Sequence, residues 1–169
     1  MKAILRAMAC AALLCAPLVS CTSEKAPVDT SSTKYLFEEV FNPCREMPPA
    51  FLAEHHLDSK PEFGDNLVDG YVYWGCFYRG QDYDLGVLVT NSPLSQVSRL
   101  EPHTLQPVQI AGRAARIQSL PLEKRFCLLY IEMTGGTLTL DLAPRSAIEA
   151  CPTLATVAEE LVPLLPPGV

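Results

Sequence analysis

Seven cysteines and three histidines stand among the 169 residues, and spacing decides what chemistry they can do. Cys44, Cys76, Cys127 and Cys151 are widely separated. None of these pairs has the short Cys-x₂₋₄-Cys spacing of structural zinc, so no metal is expected. His55 and His56 are adjacent, about 100° apart on a helix, and even with Glu54 beside them they lack the i,i+4 pair of zinc-binding helices. A Cys–His nucleophilic dyad needs a free thiol of lowered pKa, which pairing of the four cysteines would remove. Ser95 and Ser98 lack a Gly-x-Ser-x-Gly elbow. Gly112-Arg113 is no phosphate loop and reads as a tight turn or a bulge. The sequence therefore predicts no catalytic residues and calls for no cofactor.

One cluster has the character of a binding surface: Tyr71, Tyr73, Trp74, Phe77 and Tyr78. On a strand, Tyr71, Tyr73, Gly75 and Phe77 face one way, and Val72, Trp74, Cys76 and Tyr78 the other. One face must be core. Tyr71, Tyr73, Trp74 and Tyr78 are the candidate lining of a groove for a lipid, glycan or peptide. The competing reading covers the cluster with helices and the 91–106 connection. Arg113, Arg116 and Glu123-Lys124-Arg125 read as solvated turn charges.

Cys21 has a different chemistry. Lys2 and Arg6 precede an apolar run, Ala7 to Val19, of roughly a dozen residues. That is too short to span a bilayer, which takes about 20 residues, but it suits a signal peptide. Leu18-Val19-Ser20-Cys21 resembles the lipobox of bacterial lipoproteins, with a small residue just before the cysteine. The Cys21 thiolate would accept a diacylglyceryl group, and cleavage would follow Ser20. Cys10 leaves too short an apolar run, and Cys15 follows the bulky Leu14. The expectation is a signal at 1–20, then the lipidated cysteine and a polar tether at 21–34, with acyl chains (palmitate among them) as the only anchor.

Loss of 1–20 removes two basic groups and no carboxylate, so the remainder is more acidic than the −6 of the whole chain. Acidity disfavours nucleic acid, whose recognition neutralises phosphates, and electrostatic adhesion to anionic lipid. In an oxidising compartment the four later cysteines predict two disulfides. Three pairings are open. Cys44–Cys151, joining two helix starts, with Cys76–Cys127 crossing the sheet, is the weakly favoured one.

These residues need elements to hold them. Residues 35–169 suit a single domain. Asn42-Pro43 marks a helix start, and Pro48-Pro49 restarts a helix through about Leu57. Pro61 to Gly70 reads as a loop. Strands follow at Tyr71–Tyr78 and Leu85–Thr90, then an irregular connection with a short helix within Leu94–Leu100. Val108–Ile110, Ala114–Leu120, Cys127–Met133 and Thr137–Leu142 complete the strands, the last alternating with period two after a Gly135-Gly136 turn. A closing helix has Cys151 at N-cap, Pro152 at N1 and an apolar stripe of Leu154, Val157, Ala158 and Leu161. The predicted class is α+β: an antiparallel sheet of about five to six strands, an N-terminal helical segment and a C-terminal helix packed on one face.

This order of features resembles the actinobacterial lipoproteins of domain-of-unknown-function family 3558. Asn42-Pro43-Cys44, Trp74-Gly75-Cys76-Phe77, Gly112-Arg113-Ala114-Ala115, Cys127-Leu128-Leu129, Cys151-Pro152 and Leu165-Pro166 carry the resemblance, which runs from Asn42 to Pro167. Asn42 stands where the family has Asp, and Trp74 precedes its cysteine rather than following it. The resemblance implies an extracytoplasmic, lipid-anchored location at the cell membrane and this fold; no activity is established for the family as a class. The expected function is a non-enzymatic module that binds an envelope protein or apolar ligand. The alternatives are a carrier of a lipid or other apolar molecule, and an envelope hydrolase.

Overall fold

The structure is a computed structural model that describes residues 41–68, 70–100, 104–120 and 126–169. Its sheet grows from local hairpins. Glu62–Val68 (β1), Tyr71–Tyr78 (β2) and Tyr83–Thr90 (β3) form one meander; Leu105–Ile110 (β4), Arg113–Ser119 (β5), Cys127–Met133 (β6) and Gly136–Pro144 (β7) form another. β3 pairs antiparallel with β7, so the strand order is β1-β2-β3-β7-β6-β5-β4. The β4–β5 turn is Ala111-Gly112, both at positive φ. That is the twist a two-residue hairpin needs, with Ala bearing a conformation that glycine adopts freely.

The sheet has seven strands rather than five or six. The addition is β1, in the stretch expected to be a loop. Glu-Phe-Gly-Asp-Asn has neither β-branched residues nor alternation, so pairing along β2 rather than intrinsic preference makes it a strand. β4 also begins three residues earlier than Val108 and takes in Pro107, which an edge strand tolerates.

Pro49–Glu54 (α1) is a short helix with Pro49 in its first turn, where no N–H is needed. His55 caps it and His56, at φ +51, turns the chain away, so the helix stops short of Leu57. Asn42 caps only a turn: its Oδ1 accepts the Cys44 N–H at 3.0 Å. Leu94–Leu100 (α2) follows β3. Ala150–Leu161 (α3) starts two residues before Pro152, with Glu149 at its N-cap, and a 3₁₀ turn at Val162–Leu164 follows it.

Alternation gives the sheet two unlike faces. On one, Trp74, Cys76, Tyr78, Leu85, Val87, Val89, Leu129, Ile131, Leu138, Leu140 and Leu142 are buried together with Leu154, Val157, Ala158 and Leu161 of α3 and Phe41, Phe51, Leu52 and Leu57 of the N-terminal segment. The other face is covered in part by α2, whose Leu94 and Val97 pack with Tyr130, Leu105 and Leu128.

Two disulfides fasten the helical layer to the sheet: Cys44–Cys76 and Cys127–Cys151. This corrects the favoured pairing of Cys44 with Cys151 and Cys76 with Cys127. Cys76 lies on β2 and Cys127 on β6, with β3 and β7 between them. Three strand spacings put them about 14 Å apart, twice the Cα separation a disulfide bridges.

Candidate binding surface

The face away from α3 changes character across the sheet. On β2 it presents Tyr71 and Tyr73, both half-buried, and Phe77, which is 37% exposed. Between Tyr73 and Phe77 on this face lies Gly75, and opposite it β1 contributes Gly64. The Phe77 ring lies across this glycine: a Cβ there would come within 2.5 Å of Phe77 Cε2. The missing side chain lets the ring lean toward the sheet edge. On the helix side of the same edge strand, Phe63 is 65% exposed. An aromatic ring is therefore available on each side of the sheet at the β1 margin.

One pair further along, Gly86 of β3 faces Asp141 of β7. The Asp141 carboxylate fills the space a Cβ on Gly86 would need, and its Oδ1 accepts the Gly86 N–H at 3.1 Å. Asp141 is 9% exposed. Burial pushes its carboxyl from 3.8 up to about 6, against the opposing effect of the Gly86 hydrogen bond. A buried carboxyl on β7 thus reaches over Gly86 of β3, the strand between it and the Phe77 strand, and no sequence signal set it apart from its neighbours in Thr-Leu-Thr-Leu-Asp-Leu.

The residues expected to line a groove fall on opposite faces. Tyr71 and Tyr73 share the face just described. Trp74 and Tyr78 point into the core beside Cys76, at 6% and 1% exposure. They line no open groove, because even-numbered residues of β2 face the helical layer. Tyr78 has a structural task instead: its hydroxyl donates to the Pro43 carbonyl, and burial raises its pKa to about 12. Cys21, the signal, the tether and Glu123-Lys124-Arg125 lie outside the described residues. Arg113 donates to the Glu132 carbonyl and Arg116 to the Ala115 carbonyl. Ser95 is exposed on α2.

One constellation had no precursor in the sequence. His55 lies between Tyr83, whose hydroxyl is 2.8 Å from Nδ1, and Glu160, whose Oε2 is 3.0 Å from Nε2 but outside hydrogen-bond geometry. Phe51 packs on the imidazole with ring centroids 4.3 Å apart. A His with a carboxylate is the start of a catalytic relay, yet the third member points the other way. Burial first, then Glu160 and Asp82, raise the Tyr83 hydroxyl to about 12, the opposite of an activated nucleophile. The trio joins α1, β3 and α3 as a clamp.

A trough of about 400 Å³ lies at the other margin, lined by Pro107, Val108, Gln109, Ala114 and Arg116. It is open and partly polar, unlike the enclosed apolar cavity a lipid carrier needs. Among the described residues no group of three or more His, Cys, Asp or Glu side chains is placed to hold a metal ion, and no helix is long and apolar enough to cross a membrane. No family model, curated protein or solved structure matches the chain.

Proposed function

We propose that this chain is an exported lipoprotein, held at the extracytoplasmic face of a membrane by lipid on Cys21, whose domain is a non-enzymatic binding module. The resemblance to family 3558 belongs to this reading. The observation that carries it is the aromatic margin of β1 and β2: Phe77 stands open to solvent with the half-buried Tyr71 and Tyr73 on one face, and Phe63 is exposed on the other. Large apolar side chains grouped at one margin favour contact with a partner.

Placing a photo-crosslinking amino acid at Phe77 tests this in intact cells, with the exposed Gln109 on β4 as control. A specific adduct from position 77 and none from 109 is expected. Equal labelling at both positions, or none at 77, would refute the assignment of this surface.

A further inference from the structure

The sheet has two margins, and they are not equivalent. β4 carries Pro107 at its centre, and proline has no N–H to offer a further strand. β1 runs seven residues, Glu62–Val68, without proline. Its inner side pairs with β2 along its whole length, and no described strand lies outside it. About half of the backbone N–H and C=O groups of an edge strand point outward, where they are ready to pair. Proteins ordinarily blunt such an edge. Here the edge carries the charges of Glu62 and Asp65, and Phe63 and the Phe77 ring flank it.

We infer that β1 accepts an extended, basic segment of a partner protein as an eighth strand of the sheet. This deepens the binding-module reading and rests on it. The register follows from alternation. Phe63 and Asp65 point to the helix side, level with Cys76 and Trp74 of β2, while Gly64 points to the other side under the Phe77 ring. All strand pairs in the sheet are antiparallel. An antiparallel guest therefore reads Lys or Arg, then an apolar residue, then a second apolar residue. The cation meets Asp65, the middle side chain meets the Phe77 ring, and the third meets Phe63.

Charge selects this occupant over a second copy of the chain. Antiparallel pairing of two β1 strands would bring Asp65 of both copies to one face of the seam and Glu62 of both to the other, between molecules that are each acidic overall. Glu62 is already matched by Arg79 at 2.7 Å, whereas the exposed Asp65 forms no ion pair among the described residues. Backbone pairing supplies affinity, and the alternating side chains supply choice.

The test uses the full chain and capped seven-residue peptides centred on Lys-Val-Leu, with binding followed by calorimetry and by hydrogen exchange at β1. The Lys peptide should bind and slow exchange of the β1 amides. Replacing its Lys with Glu should weaken binding about tenfold, and Asp65→Lys should reverse that order. N-methylation of two successive core amides should abolish binding. An N-methylated peptide that binds equally well overturns strand addition while leaving the binding surface intact. Protection of the β1 edge in the free monomer, or protection that grows with protein concentration, also overturns it: the edge is then covered by the chain itself or by a second copy. If none of the peptides binds while position 77 still crosslinks in cells, the mode fails and the module survives.

Discussion

Replacing Asp141 with Asn removes a buried charge while keeping an oxygen that can accept the Gly86 N–H. The carboxyl stands at about 6 in the fold against 3.8 ordinarily. At about 1.4 kcal/mol per pH unit, that gap is worth roughly 3 kcal/mol. The sign follows from proton counts. Between these two values the folded chain holds a proton that the unfolded chain has released, so raising the pH favours unfolding. Asp141 therefore imposes no penalty below about pH 4, and its full penalty above about pH 6. The Asn variant should match the parent at pH 4 and exceed it by up to about 3 kcal/mol at pH 8. Urea unfolding from pH 4 to pH 8 reads this directly: with a slope of about 2 kcal/mol/M, the midpoints should separate by about 1.5 M at the alkaline end. A gap independent of pH, or a variant less stable at pH 8, would refute the argument from burial.

Tyr78→Phe deletes the buried hydrogen bond to the Pro43 carbonyl and should cost about 1–3 kcal/mol in unfolding free energy, because the carbonyl is left unmatched. Non-reducing peptide mapping should recover Cys44 with Cys76 and Cys127 with Cys151; replacing either pair with Ala should lower stability by about 3.5 kcal/mol, as loops of 32 and 24 residues imply. Gly64→Ala should drive the Phe77 ring off the β1 margin and weaken crosslinking at position 77, with the chain still folded by circular dichroism. Cys21→Ala should move the protein from the membrane fraction to the soluble fraction without a change in unfolding midpoint; full membrane retention would refute lipid anchoring.

β2, β6, β7 and α3 were legible because their patterns are local. Tyr71–Tyr78 is rich in aromatics, Thr137–Leu142 alternates, and Leu154, Val157, Ala158 and Leu161 recur at helical spacing. β1 was not, since Glu-Phe-Gly-Asp-Asn becomes a strand only through its neighbour. The disulfides were hidden for a related reason: β3 and β7 separate Cys76 from Cys127, and strand order is absent from local pattern. Tyr71 and Tyr73 were placed correctly relative to each other, but which face of β2 became core was decided by the helical layer. Asp141 occupies a polar position in the alternating Thr137–Leu142 run. It is buried because Gly86 opposite it has no side chain, and only the register reveals that pairing. His55, Tyr83 and Glu160 lie too far apart in sequence for any motif to join them.

The strand order has a consequence for assembly. Each disulfide lies within one half of the chain, Cys44–Cys76 beside the first meander and Cys127–Cys151 beside the second. The seam between the halves is the pairing of Tyr83–Thr90 with Gly136–Pro144, across more than forty intervening residues. Loop closure of that length costs entropy before any contact repays it. Oxidation of each half shortens the search of the other only through this seam, so two covalently correct halves can exist before the central sheet closes. On the export route proposed above, the amino half can thus secure its crosslink while the last strand is still in transit.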